Sequence, residues 1–598
     1  MRKWLVFVLL VALAVFAAAC GAQSAPAPQA AAPTVAAAVQ QAAPTVAAAA
    51  APKATDAPKA AAAPTAAPAA GAVVSKPPDK NIVRINTGAY PDNLDPQQAS
   101  FVNEIGFLTM LYEGLVSLGP DLTPQPGQAE SWKVSDDGMT YTFKLRPGLK
   151  YSDGKPLTAK DFEFAFKRAA DPVLAGQYQS STFDIVGAED YGTMDPKSDP
   201  AKLKEARDKM GVKALDDTTL EIKLNKRAAY FPYIAYQWFG WPVREDVIQK
   251  CGEDWWTKAE CHIGNGVFKL AELKEKEIAR FVPNPNWRGD KPKVDEVDYR
   301  FITDTKVAFE AYKNGELDII GLAAEDLQTA QKDATLSKEI LMAPGSCTRG
   351  IAFNLTKPPF DKRDVRLAFA KAVDRDAWTK DVLQGLGKPA LSWMVEGIPG
   401  AKADSGAAQK FDVAAAKELL AKAGFPNGQG LPEIKMSFGS TPRNKIRAEF
   451  LAGQFQKNLG VNVVLDAVEP TTYTAMQKDA KTYPQLGFNI GWCSDYPDPQ
   501  NWLTTYWRST AFAKRYGYNN PDLDKLMDAA DVEQDSAKRL QMYQQAENTI
   551  LEKDVPYVPL DQSVAPYLVK PYIQTGKVTS HDPNWPGQFQ PWLLAIKR

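Results

Sequence analysis

Thirteen residues near the C-terminal end, GWCSDYPDPQNWL at 491–503, place two tryptophans, a cysteine and two aspartates in one short stretch. Pro497-Asp498-Pro499 cannot continue a helix or a central strand, so a surface turn is the plain reading. The same residue types suit a ligand pocket, with the Asp495 carboxylate holding a positive charge and the Trp492 indole covering it. Such turns are common and pockets few, so the stretch taken alone favours the turn.

Other chemistry has thin support. The chain has only two histidines, His262 and His581, and no HExxH, GxSxG or Walker-type loop. Zinc catalysis through histidines would have to use both of these distant residues. Carboxylates abound, so an acid/base pair of the glycosidase kind survives on counting, but nothing singles one out. Lysine plus arginine number 70 against 71 acidic residues, without a long basic block, which excludes a nucleic-acid footprint.

The elements that must position any site form a mixed α/β pattern. TYTFKL at 140–145 and TLEIKL at 219–224 alternate like half-buried strands, each after a turn. Thr158 and Asp161 make a capping box for TAKDFEFAFKRAAD, whose Phe162, Ala165, Phe166 and Ala169 share one face. Further helices are expected from Asp361 and over 412–423. These stripes face a core and carry no chemistry.

The N-terminus sets the compartment. Met1-Arg2-Lys3 precedes an apolar run that ends in small residues at Cys20, the pattern of a secretory signal. Small residues before a cysteine resemble a bacterial lipoprotein cleavage box, with Cys20 the lipidated N-terminus; Ala17 departs from the usual leucine. From 21 to 78 the chain is alanine and proline, with AAPTVAAA occurring twice, and lacks the side chains to build a core. It is expected to be a disordered tether, reaching roughly 180 Å if fully extended. The remainder, 79–598, exceeds what one core organises, so at least two lobes are expected. Cys251, Cys261, Cys347 and Cys493 permit two disulfides in an exported protein. Three pairings are open; closing the short loop from Cys251 to Cys261 would leave Cys347 for Cys493.

Motifs along the whole mature chain carry a resemblance. Residues 112–172, from YEGLVSLGPDLTPQPGQAESW to KRAADP, with GVKALDDTTLEIKL, GNGVFKL, NPNWRGDKPKVDEVDYRFI, KNGELDI and KPPFDKRDVRLAFAKAVDRD in order, resemble the oligopeptide-binding proteins of ABC importers, solute-binding protein family 5. The resemblance implies an α/β, bilobal, type II periplasmic-binding-protein-like clamshell with an additional domain inserted in the first lobe. Lobe I would take 79–117, 240–346 and 570–598, the inserted domain 118–239, and lobe II 347–569. It implies a monomeric receptor and not an enzyme, without cofactor or metal. Anchored by lipid outside the cell membrane, it would hand oligopeptides to permease subunits.

By the same resemblance, Asp495 would pair with a peptide's α-ammonium, Trp492 would line a side-chain pocket, and Cys493 would bridge to Cys347. Some relatives carry an arginine three residues before the tryptophan to meet a peptide carboxylate; here it is Asn489. Where an aromatic is expected after the first bridging cysteine stands Gly350, with Arg349 beside it. Tyr473 is a weaker pocket candidate, and Trp502 is expected in the core. A nickel complex or oligosaccharide as ligand, and an exported carboxylate-dependent hydrolase, are the alternatives.

Overall fold

The computed structural model describes residues 80–597 apart from Pro583. The apolar run, Cys20 and the alanine- and proline-rich stretch therefore lie outside the described residues. Among the described residues, no helix is long and apolar enough to cross a membrane.

Local signals act as simple chemistry dictates. The Thr158 N–H donates to the Asp161 carboxylate at 2.7 Å, opening the helix Ala159–Ala169, and Phe162, Ala165, Phe166 and Ala169 are all buried beneath it. Asp412 accepts from the Ala415 N–H at 3.0 Å and caps the helix Val413–Lys422. The helix expected from Asp361 begins at Arg363 instead. The Arg366 guanidinium bonds the carbonyls of Phe360 and Asp361, drawing them away from the helix start.

Ala129–Val134, Thr140–Leu145, Thr219–Lys223 and Val212–Asp216 pair in that order as an antiparallel sheet of four. A second, eleven-stranded sheet runs through the rest of the body. Three of its strands position the site: β1 (Ile340–Phe353), β2 (Leu486–Cys493) and β3 (Tyr557–Val569). β1 and β3 form a long antiparallel ribbon. At one end of the ribbon, β3 pairs with Ile319–Gly321, which leads to Ile82–Asn86 and Glu296–Arg300. At the other end, β1 pairs with β2, which leads to Ile434–Gly439 and Val463–Val468.

Separate cores lie on the two sides of this ribbon. Phe107, Tyr299 and Trp585 belong to one, and Phe353, Phe369 and Phe455 to another. A third core is rich in aromatic rings, with Trp393 packed on Tyr506, Trp507, Tyr557 and the fully buried Trp502.

Candidate ligand-binding cleft

β1 and β2 carry Cys347 and Cys493 opposite each other, with Cα atoms 4.0 Å apart and the sulfurs bonded. The second disulfide joins Cys251 to Cys261. The first lines a cavity of about 400 Å³; the second does not.

Asp495 lies one residue beyond Ser494, just past the end of β2, and lines the same cavity. One carboxylate oxygen accepts from the Tyr178 hydroxyl at 3.1 Å, the other from the Asn501 amide at 2.9 Å. Asn501 also accepts from the Asp495 N–H and the Trp492 indole N–H, both at 3.1 Å, so one side chain orients both residues. Burial pushes the Asp495 carboxyl above its ordinary range, and the bonds from Asn501 and Tyr178 oppose that shift. Among the described residues, no lysine or arginine forms a salt bridge with it. A carboxylate so placed favours a cation, because neutral donors only partly replace its lost hydration.

Asp498 has the opposite surroundings. It is 1% exposed and bonded by both terminal nitrogens of Arg539, at 2.6 and 2.7 Å, while capping the short helix Pro499–Trp502.

The strand that carries the disulfide also presents backbone. β2 pairs with Ile434–Gly439 only through Leu486 and Gly487. At Phe488, the Tyr473 hydroxyl donates to the carbonyl at 2.8 Å and accepts from the N–H at 2.9 Å, standing in for a neighbouring strand. Asn489 comes next at φ 55°, an extra residue where the register with β1 shifts. Asparagine tolerates that left-handed conformation better than most residues. From Ile490 to Cys493 this edge has no strand partner among the described residues, and an extended ligand could add to it.

Of the residues singled out in the sequence, Asp495, Cys493 and Cys347 line the cavity. Trp492 sits just behind, packed on Tyr506 and Phe512 with ring centroids 5.2 Å away in each case. Arg349, Asn489 and Tyr473 do not line it. Arg349 is engaged by the buried Asp561 at 2.6 Å, which also accepts from the Trp378 indole. The cavity adds residues that motif reading missed: Tyr178 and Trp238, packed edge to face at 4.7 Å, and His581 with Asp582. Periodicity could not have found them, since each lies in an irregular or very short element. His262 is buried elsewhere, and burial lowers it to about 4, so it is neutral at ordinary pH.

Walls drawn from both sides of a two-stranded crossing make a site that encloses its ligand. This is the plan of the type II periplasmic-binding-protein class, two α/β lobes here with an additional domain. The family model of the bacterial extracellular solute-binding proteins, family 5 Middle, matches residues 123–514, and the chain belongs to that family. It is therefore a binding protein and not an enzyme. The oligopeptide-binding protein OppA of Bacillus subtilis is 31% identical over 493 residues, covering 80% of this chain and 87% of the relative.

Two solved structures are informative together. The periplasmic murein tripeptide-binding protein MppA in its unliganded open form aligns with TM-score 0.76 at 27% identity, covering 88% of this chain and 99% of that one. Haemophilus influenzae OppA in complex with the peptide RPPGFSPFR aligns with TM-score 0.61 at 27% identity, covering 87% and 100%. Identity is equal and coverage nearly equal in the two alignments, and the TM-score is higher against the unliganded open structure.

Proposed function

We propose that this protein is an extracytoplasmic receptor of an ABC importer, lipid-anchored at Cys20, that captures oligopeptides between its lobes and delivers them to the permease. The observation that carries the reading is Asp495, a carboxylate on the cavity wall held only by neutral donors and adjacent to an unpaired strand edge. A peptide's α-ammonium would supply the missing charge and its backbone would pair with the edge. Side chains would be read loosely, because strand addition takes its affinity from the main chain. The ligand named for the relative OppA supports the same class. The lobes divide as 79–117, 240–346 and 570–598 against 347–569, with 118–239 as the added domain.

Native mass spectrometry of the protein as purified tests the ligand class. Bound masses that fragment into peptide ladders are expected; a copurified sugar, metal complex or other non-peptide solute would contradict it. The anchor has its own test. Cys20→Ser should move the protein from the membrane to the soluble fraction, because the acyl chains supply most of the attachment, whereas unchanged partitioning would remove the lipoprotein claim.

A further inference from the structure

The cavity beside Asp495 holds a second carboxylate, Asp582, and no lysine or arginine lines it among the described residues. One Asp582 oxygen accepts from the Thr579 N–H at 2.6 Å and hydroxyl at 3.1 Å; the other accepts from the Phe589 N–H at 3.0 Å. All are neutral donors. The Gly587 N–H faces the carboxylate as a fourth neutral donor, so the charge is met by dipoles and by no counter-charge.

The residues beside it point to a guest as well. His581 stacks on Phe589 with centroids 4.7 Å apart and planes within 5°, and Tyr236 lies 6.0 Å from the imidazole. Burial lowers His581 to about 4, so the ring brings no positive charge of its own near neutral pH. Ser580 lines the same cavity, is 5% exposed, and its hydroxyl has no hydrogen-bond partner. A buried hydroxyl without a partner is costly unless something arrives to bond it. Aromatic faces with a carboxylate and a spare hydroxyl are the surroundings in which an ammonium or guanidinium is best held.

We propose that Asp582, with Ser580 and the Tyr236 and His581 rings, forms a second cation subsite that takes the basic side chain of a residue near the ligand's N-terminus. The proposal rests on the reading of this cleft as a peptide site with the α-ammonium at Asp495. Both carboxylates line a single cavity of about 400 Å³, which holds only the first few residues of an extended chain. The receptor is thereby selective for peptides that begin with more than one positive charge, because a neutral or acidic side chain would leave Asp582 without a counter-charge or oppose it.

The test uses alanine tetrapeptides carrying lysine, norleucine or glutamate at the first or the second position, with binding to the full protein measured by calorimetry. At one of the two positions lysine should bind about tenfold tighter than norleucine, and glutamate should be weakest, since a desolvated charge pair is worth a kcal/mol or more. In Asp582→Asn, shown to be folded by its circular dichroism, the lysine advantage should fall to near parity. Equal affinity for lysine and norleucine at both positions in the wild type overturns the subsite, and that comparison decides the matter even if the variant does not fold. A lysine advantage that persists undiminished in folded Asp582→Asn removes the role of Asp582. If none of the peptides binds the wild type, the peptide reading itself fails and the subsite with it.

Discussion

Asp495 and Asp498 stand three residues apart in one turn, and their surroundings are opposite. Asp498 is sealed against Arg539, with side-chain exposures of 2% and 9%. Asp495 faces a cavity and meets only a tyrosine hydroxyl and an asparagine amide. The first is a completed ion pair inside one chain; the second is half of a pair. A buried charge is stabilising or functional according to where its partner lies, and that is a property of the fold and not of the residue.

Breaking the completed pair should have the largest effect. Asp498→Ala leaves the Arg539 guanidinium buried and unpaired and removes a helix cap, so denaturant unfolding should show a loss of about 3–5 kcal/mol. Folded molecules should still bind ligand. A loss well under 1 kcal/mol would mean that the pair is not sealed from water.

Glu547 sharpens the contrast from a third side. It is fully buried and, like Asp495, held by neutral donors: the N–H groups of Trp393 and Met394 at 2.8 and 2.9 Å, and the Ser405 hydroxyl at 2.7 Å. It does not line the ligand cavity. Burial raises it from 4.5 to about 7. Between those values the folded state keeps a proton that the unfolded state has lost, so stability falls as pH rises through this window and levels off above it. Glu547→Gln retains an acceptor for the two N–H groups. It should flatten that part of the stability profile, worth about 3 kcal/mol across the window. A variant whose profile keeps the wild-type slope between pH 4.5 and 7 would show that Glu547 ionises normally.

Much of the scaffold was legible because its signals are local. Thr158 with Asp161 announces a helix, and alternation announces the strand Thr140–Leu145. Asp495 and Trp492 stood out by composition, and a single side chain, Asn501, orients them both. Their wider setting was not legible. Tyr178 meets Asp495 across 317 residues, and no short pattern encodes that meeting. Arg349 looked available, but its partner Asp561 lies 212 residues on, in a strand whose pairing decides where the guanidinium goes. Asn489 stands where some relatives carry an arginine; its left-handed conformation belongs to a bulge that exists only once β1 and β2 are in register. His581 and Asp582 sit in an irregular C-terminal segment, where neither helical nor strand periodicity can mark a face.

The measurement that bears most directly on Asp495 is a coupling. Wild type and Asp495→Asn are each titrated by calorimetry with a peptide recovered from the native protein and with its N-acetylated form. Asp495→Asn should weaken the free-amine peptide by about 2–5 kcal/mol, the range for truncating one side of a buried charge pair. The acetylated peptide should bind wild type poorly, and the substitution should cost it almost nothing further, so the two changes are strongly coupled. Losses that simply add, or a free-amine peptide bound by Asp495→Asn at full affinity, would mean that the carboxylate does not hold the ligand's ammonium.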